Sequence, residues 1–332
     1  MRLLLISGDD PLARRRLALA QVGPEDELLD ASGEELLTEA GRFDLLAALD
    51  QRWQALLPRL GPWLDLLEFP RAADRLPLLP GLEEVLLALE LNDRISRCRA
   101  RRLVVLLPAT APARRLLSGL SSAPELLERL YDPLLGRLGG LRQTIAGLES
   151  LLDLRLPAAD GLRLPADLRQ QLEDLERRLE DPDRCELQLV QASELAGDPL
   201  LEQRIAGFHL AGVQLSRLWF QGPPDPGLEA SWADRLAPAL VHVGGGQGLP
   251  EWLARPWDGE PMRLLRQDGD ETVLALLLPG LRKERLQLRR IGRHLQLQVG
   301  GQRRLLALPA VLQPLEPCGA RVDGRRLEVR FR

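Results

Sequence analysis

The residues that could hold a phosphate group lie directly after the first apolar run of the chain. The run Arg2–Ile6 is typical of a buried parallel strand and ends at Ser7-Gly8. Pro11–Ala20 then has helical composition, and proline is favoured in the first turn of a helix. A strand, a glycine and a helix start in this order form a phosphate-loop topology, in which backbone N–H groups can face an anion.

Other chemistry is limited by the residue types present. Lys283 is the only lysine, so Schiff-base or phosphate-loop lysine chemistry could come from that residue alone. Asp9 and Asp10 are adjacent, which favours a solvated loop over a paired-carboxylate site, and no Ser/His/Asp or Cys/His constellation stands out. We therefore predict no catalytic residue. Because no CxxC pair exists, we also predict no metal ligand among the scattered Cys98, Cys185, Cys318, His209, His242 and His294.

The amino-acid composition is typical of a globular protein. The 332 residues suffice for about two domains, with 45% hydrophobic and 28% charged residues. The net charge of −4 gives no general attraction to nucleic acid, and the basic clusters Arg14–Arg16 and Arg94–Arg102 are interpreted as solvated helix faces. We find no apolar run of about 18 residues and no signal peptide, so we expect a soluble, cytoplasmic protein without a transmembrane segment.

Apolar runs alternate with helical stretches along residues 1–258. Further buried strands are predicted at Leu103–Leu107, Leu187–Val190, Leu215–Phe220 and Ala239–Val243. Helices are predicted at Phe43–Leu57, Gly81–Leu91, from Ala113 onward and at Leu200–Leu210. This alternation predicts an α/β fold with a mostly parallel sheet, and a helical subdomain at about 34–95 and 123–182.

Two apolar stripes recur at helical spacing within the predicted helical subdomain. They comprise Leu168, Leu172, Leu175 and Leu179, and Leu141, Ile145, Leu148 and Leu152. Core packing of a helical hairpin accounts for both stripes, and a groove that binds apolar partner segments is the alternative.

The pattern changes near Asp258–Pro261, and strand patterns dominate from Met262 onward. Leu295–Val299 and Leu327–Phe331 carry apolar residues at period two, whereas Val273–Leu278 is apolar throughout, as a strand buried on both faces would be. Glycines between the runs supply turns. We predict a small all-β sandwich at residues 262–332, here called the β module, after an α/β domain at 1–258.

The β module resembles the α-crystallin-like domain of small heat-shock proteins. The resemblance rests first on Leu276–Glu284 (LLLPGLRKE), where that family has a strand, a PG dipeptide and a KE-type turn. It continues in order through Gly292, Leu295–Val299, Arg303-Arg304 with Leu308-Pro309, and Gly324–Phe331.

A module of this kind at the C-terminus is similar to the tail of some bacterial and plastid-type members of the ArsA family, the arsenite-pump and tail-anchored-protein targeting ATPases. Other segments resemble this family at low identity over nearly the whole chain: Asp50–Trp53, Leu79–Leu86, Thr110-Ala111-Pro112, Arg115–Ser118, Leu187–Glu194 and Gly212–Gly222. The resemblance implies a P-loop NTPase-like fold of the SIMIBI type, ATP with Mg²⁺ as the family's ligands, and a dimer.

The phosphate loop of that family reads GKGGVGKT(T/S), and this chain departs from it at most positions. The gap-free equivalent comprises Gly8, Asp9, Asp10, Pro11, Leu12, Ala13, Arg14, Arg15 and Arg16. Pro11 removes a backbone donor, and the carboxylates of Asp9 and Asp10 would face the triphosphate. Arg14 stands where the resemblance places the catalytic lysine, and Arg15 where it places the metal-binding hydroxyl.

The other nucleotide-contacting positions of the family are changed as well. The Mg²⁺-side aspartate falls on Leu107 when counted from the strand, or on Ala109 when counted from Thr110, and neither can ligate a metal. Asp30-Ala31-Ser32 is the nearest candidate for the segment that carries the water-positioning aspartate. The adenine-side asparagine corresponds to Gln221. With so many parts missing together, we predict no ATP hydrolysis and no bound cofactor, and ATP with Mg²⁺ would bind only if this alignment is wrong.

These departures leave several functional hypotheses. The first is a non-catalytic, chaperone-like or scaffold protein for hydrophobic segments, a pseudo-ATPase of the ArsA type that forms a homodimer. The second is a regulatory subunit that pairs with an active ArsA-type paralogue, whose nucleotide Asp9 would face. A residual ATP-binding anion-transporting ATPase and an enzyme with altered chemistry are the remaining alternatives.

Overall fold

A computed structural model describes residues 1–34, 36–37, 45–66, 82–126, 166–236, 240–246, 249–299 and 301–332. By their internal contacts the residues divide into two compact units. The first unit comprises Met1–Phe43, Arg97–Ser121 and Glu176–Arg332, and the second comprises Asp44–Ser96 and Ser122–Leu175. The first unit thus includes both the parallel sheet and the β module, and the domain limits 1–258 and 262–332 remain a sequence prediction.

The first unit contains a parallel sheet of six strands. They are β1 (Arg2–Gly8), β2 (Glu27–Asp30), β3 (Arg102–Leu106), β4 (Cys185–Ala192), β5 (Leu215–Gln221) and β6 (Leu240–Gly244), in the order β2-β3-β1-β4-β5-β6. Leu3 to Ile6 of β1 are fully buried because β1 lies in the middle of the sheet and helices cover both faces of such sheets. The predicted α/β class with a mostly parallel sheet is confirmed.

Eight α-helices lie in the described part of the chain. They are α1 (Pro11–Leu19), α2 (Leu45–Leu66), α3 (Leu82–Arg97), α4 (Thr110–Leu126), α5 (Ala166–Glu180), α6 (Pro199–Leu210), α7 (Pro226–Leu236) and α8 (Leu249–Ala254). None of these described helices combines the length and apolar character that a membrane crossing requires.

The structure corrects several predicted boundaries. Helix α4 begins at Thr110 rather than Ala113, because Pro112 is tolerated in a first helical turn, where its missing N–H needs no partner. Helix α2 continues past the predicted end at Leu57, to Leu66. Strand β2 was not predicted, because it is only four residues long and its apolar pattern is too short to be recognised in the sequence.

The described part of the apolar stripes is core. Leu172, Leu175 and Leu179 on α5 are buried to 3% exposure or less. The stripe Leu141–Leu152 and the side chain of Leu168 lie outside the described residues.

The β module is a sandwich of two antiparallel sheets, as predicted. Its strands are β7 (Arg263–Asp268), β8 (Glu271–Leu277), β9 (Leu286–Ile291), β10 (His294–Val299), β11 (Gln302–Ala307), β12 (Pro317–Asp323) and β13 (Arg326–Phe331). One sheet has the order β12-β13-β8-β7 and the other β11-β10-β9. The side chains of Val273 to Leu278 are all buried, which confirms that β8 is covered on both faces.

The β module shares its core with α6 of the parallel-sheet region. Ala206 and Leu210 of α6 belong to the same apolar cluster as Leu297 and Phe331. At this joint the guanidinium of Arg304, 3% exposed, donates to the Leu210 carbonyl at 2.7 Å and pairs with the carboxylates at the end of α5. The two parts of the first unit are therefore packed together and not merely tethered by a linker.

Candidate functional site

The candidate site lies at the carboxyl edge of the parallel sheet, where β1 and its neighbours β3 and β4 end and where α1 and α4 begin. In open α/β sheets, ligands bind outside the carboxyl ends of the strands near the point where the strand order reverses. Helix N-termini there present free N–H groups and a positive dipole end to an anion. The phosphate-loop positions identified from the sequence all fall in this place.

Gly8 lies very close to the backbone of the neighbouring strand β4. A Cβ atom at Gly8 would lie 2.3 Å from the carbonyl oxygen of Val190 on β4, far inside van der Waals contact. The glycine is therefore required by the packing of β1 against β4, and this explains its presence without any ligand.

The N-terminus of α1 is capped by its own carboxylate. Asp10 is the N-cap residue, and its Oδ1 accepts a hydrogen bond from the Ala13 N–H at 3.0 Å. Pro11 is the first helical residue and has no N–H to offer. A carboxylate thus binds the donor that would otherwise be free for a phosphate oxygen.

Asp9 binds the N-terminus of the second helix at this edge. Its Oδ1 accepts a hydrogen bond from the Thr110 N–H, the first residue of α4, at 3.1 Å. Its other oxygen lies 3.5 Å from a guanidinium nitrogen of Arg204, and 43% of the Asp9 side chain is exposed. Both helix N-termini at the site are therefore bound by aspartates of the same chain.

Arg14 is directed away from the loop and into the protein, so the interpretation of Arg14–Arg16 as a solvated helix face is wrong for this residue. Its side chain is fully buried; Nη1 donates to the Leu107 carbonyl at 2.6 Å, and Nη2 pairs with Glu34 Oε2 at 2.6 Å. The guanidinium thus connects α1 to the end of β3 and to the segment after β2. Because these partners fix two of its nitrogens, Arg14 cannot serve as a lysine-like counter-ion at the loop without breaking them.

The two positions considered for a switch aspartate, Leu107 and Ala109, carry no side chain that can ligate a metal. Leu107 binds Arg14 through its carbonyl, and the Ala109 carbonyl accepts from the Ala113 N–H at 2.9 Å within the first turn of α4. In the described ranges no group of three or more His, Cys, Asp and Glu side chains is placed to hold a metal ion.

In the Asp30-Ala31-Ser32 segment, hydrogen bonds from nearby residues occupy the Asp30 carboxylate. The Asp30 carboxylate is 4% exposed, and its Oδ1 accepts from the N–H and hydroxyl of Ser32, at 3.0 and 2.5 Å. Its Oδ2 accepts from the N–H groups of Leu36 and Leu37, at 2.7 and 3.2 Å. With four donors bound, this carboxylate has no free oxygen with which to orient a water molecule.

The remaining predicted positions are spread around the edge. Ala13 is 1% exposed and packs in the core under α1 with Leu4 and Leu17. Arg15 is half-buried on α1, and Gln221 is half-buried at the carboxyl end of β5, where it is paired with Ala192 and Gly244.

Sequence reasoning missed the residues that close the site. Glu34 and Arg204 belong to no sequence motif, because Glu34 contacts Arg14 across 20 residues and Arg204 on α6 contacts Asp9 in the loop before α1. Gln191 was also missed; its amide donates to the Thr110 hydroxyl at 2.8 Å. One signal was readable in advance, since an aspartate directly before Pro11 is the pattern of an N-cap followed by proline at the first helical position.

The residues present do not fit ATP with Mg²⁺. The helix donors at Ala13 and Thr110 are bound by carboxylates, and the same two carboxylates would repel a triphosphate at short range. The buried guanidinium of Arg14 already binds the Leu107 carbonyl and Glu34. Therefore, no phosphoryl-transfer step can be derived from this arrangement.

Comparison with known proteins relates one part of the chain to a family. Residues 269–331 match the family model of the HSP20-like domain found in ArsA. The match begins after β7 and covers β8 to β13, in agreement with the resemblance of the β module to small heat-shock domains. No curated protein matches the chain. What the comparison identifies is therefore the C-terminal β module, as similar to the HSP20-like domain of ArsA.

Proposed function

We propose that the chain is an ArsA-related pseudo-ATPase that acts as a non-catalytic, chaperone-like or scaffold protein for hydrophobic segments. The observation that carries the proposal is the closed carboxyl edge of the sheet. Asp10 and Asp9 bind the N-terminal donors of α1 and α4, and Arg14 is bound to Leu107 and Glu34. A parallel sheet with an ArsA-type C-terminal module favours the family, and the self-bound site favours loss of its catalysis.

The contacts of Asp9 disfavour the regulatory-subunit alternative. In that alternative Asp9 would reach across an interface to the nucleotide of an active paralogue. Here its carboxylate is bound to Thr110 and Arg204 of the same chain, so reaching a partner would require both contacts to break.

The buried leucines limit where a client could bind. Leu172, Leu175 and Leu179 are no more than 3% exposed, so they cannot present an open groove without rearrangement. A client surface must therefore use other residues. The β module supports a chaperone-like role only through its likeness to a heat-shock domain.

Two assays with the full chain test this proposal. ATP turnover is measured in Mg²⁺, and suppression of the aggregation of a heat-unfolded model protein is measured with and without ATP. We expect no turnover and a suppression that ATP does not change. Turnover above the buffer rate would restore the ATPase, and failure to suppress aggregation at a several-fold molar excess would remove the chaperone role.

A further inference from the structure

The two edges of the four-stranded sheet in the β module differ in how they are protected. Edge strand β12 begins at Pro317, and its pairing with β13 shifts register between Pro317 and Gly319. Proline and bulges are features that prevent an edge from pairing with another strand. Edge strand β7 has neither, and its side chains Leu264 and Leu265 are 41% and 46% exposed.

The hydrogen bonding of β7 shows which of its backbone groups face the open side. The Leu277 N–H donates to the Met262 carbonyl at 2.9 Å, and these residues continue the β7–β8 register as a directly opposite pair. In an antiparallel ladder, alternate residues direct both backbone groups to the same neighbour. Arg263, Leu265 and Gln267, of the opposite parity, therefore direct their N–H and C=O groups away from β8.

The charges that could block pairing at β7 are neutralised within the protomer. Arg266 donates to Glu328 Oε1 at 2.6 Å across its own sheet, and Arg263 forms an ion pair with Glu180 of α5. An arginine on an edge strand usually opposes pairing because its charge must stay solvated. On β7 both arginines are already paired, so a neighbouring strand meets exposed leucine and backbone groups that no described strand pairs.

We propose that β7 is a self-association edge, which pairs antiparallel with β7 of a second copy of this chain about a two-fold axis at Leu265. Outward-facing residues must face outward-facing residues, so Leu265 lies opposite Leu265 and Arg263 lies opposite Gln267. Leu264 then lies opposite Arg266. The two four-stranded sheets become one continuous sheet of eight strands.

The composition of β7 selects this register over its neighbours. A two-fold axis at Arg266 would set two arginines directly opposite each other, which is unfavourable. An axis at Leu264 leaves fewer residues of Arg263–Asp268 paired. The register at Leu265 pairs five residues of each strand, avoids like charges and sets the two copies of Leu265, the more exposed leucine of the strand, opposite each other.

Sedimentation velocity of the full chain, with a proline variant, tests this pairing. We expect a mass twice the 37.0 kDa of one chain for the wild type, and a single-chain mass for Leu265→Pro. Proline removes only an outward N–H at this position and leaves the bonds to β8 intact. Leu265→Thr, which keeps the N–H, is the matched control and should still dimerise. A single-chain mass for the wild type, or a dimer that survives Leu265→Pro, would overturn the proposal.

Cysteine cross-linking tests the register and does not depend on how the proline variant folds. In a Cys98→Ser, Cys318→Ser background, Leu265→Cys and Leu264→Cys are compared under mild oxidation. Directly opposite Cα atoms lie about 5.5 Å apart, within disulfide reach, whereas two copies of residue 264 would be offset to roughly 7–8 Å. We expect covalent dimer from Leu265→Cys and little from Leu264→Cys. Equal yields, or the reverse order, would contradict the register.

Discussion

Backbone N–H groups at two places in the first unit differ in whether side chains of the same chain bind them. At the carboxyl edge of the parallel sheet, the N–H groups of Ala13 and Thr110 are bound by Asp10 and Asp9. At β7 of the sandwich, the outward backbone groups around Leu265 have no strand beside them in the described part of the chain. The first place has the topology of a binding site but is closed, and the second shows no binding motif but is open.

This difference separates contacts that stabilise the fold from backbone groups that are available to a partner. The loop after β1 is not an empty pocket, because Asp10 and Asp9 bind the N-terminal donors of α1 and α4, and Arg14 connects α1 to the end of β3. Substitutions at the closed edge should therefore reduce the stability of the fold. Substitutions at the open edge should change association and leave the stability of the protomer nearly unchanged.

The largest effect is expected from Arg14→Met. Removing this fully buried guanidinium leaves the Leu107 carbonyl and Glu34 without their partner, so the free energy of unfolding should fall by about 2–4 kcal/mol. Urea denaturation measures the change. Arg16→Met, on the exposed side of the same helix, is the matched control and should stay within about 0.5 kcal/mol. A similar loss in both variants would mean that the burial of Arg14 is unimportant.

The next effect is a pH dependence of the free energy of unfolding. It comes from His209 on α6, the helix that packs against the β module. Burial lowers the pKa of His209 to about 3, and its Nε2 accepts from the Leu215 N–H. The unfolded chain takes up a proton below a pKa of about 6.5 and the folded chain does not, so stability is present above pH 6.5 and is lost as the pH falls toward 3. Between pH 6.5 and 5 we expect a loss of about 2 kcal/mol from this group.

His209→Gln supplies the control for that pH dependence. Glutamine can still accept from the Leu215 N–H but does not titrate. Urea denaturation at several pH values should show a shallower slope for the variant than for the wild type. Identical slopes between pH 6.5 and 5 would show that His209 can take up a proton in the folded state.

A smaller effect is expected from Asp10→Ala. The variant loses the cap on the Ala13 N–H, which should cost about 1 kcal/mol. Asp10→Asn keeps a capping oxygen and should recover most of that stability, because asparagine caps nearly as well as aspartate. If Asp10→Ala were as stable as the wild type, the Asp10 carboxylate would not stabilise the N-terminus of α1.

The smallest effect on stability is expected at the open edge. Leu265→Thr changes a side chain that is 46% exposed, so the free energy of unfolding of the protomer should change by no more than about 0.5 kcal/mol. Thermal unfolding at low protein concentration checks this value. A loss above roughly 1.5 kcal/mol would show that Leu265 belongs to the protomer core.

The fold was predictable because its signals are periodic and local. The buried runs in β1, β3 and β5, and the period-two pattern of β10, give the α/β sheet and the sandwich directly. Strand β2, with four residues, lies below the length at which such a pattern can be recognised.

The closed site was predictable only in part. Comparison with the phosphate loop of the family that the chain resembles predicted which ligand contacts it lacks, but not which intramolecular contacts its residues make instead. Asp10 before Pro11 is a local cap signal and could be read, whereas the partners of Arg14 and Asp9 depend on tertiary contacts over 93 and 101 residues. Side-chain direction decides such contacts, and sequence spacing alone does not determine it.

Calorimetric titration of the purified chain with ADP and ATP, with and without Mg²⁺, shows whether the side chains at the carboxyl edge close it to nucleotide. We expect no saturable heat up to millimolar nucleotide in either condition, because Asp9 and Asp10 already bind the helix donors. Tight, Mg²⁺-dependent binding at one site per chain would contradict it, because such binding requires Asp9 and Asp10 to leave the helix N-termini that they cap.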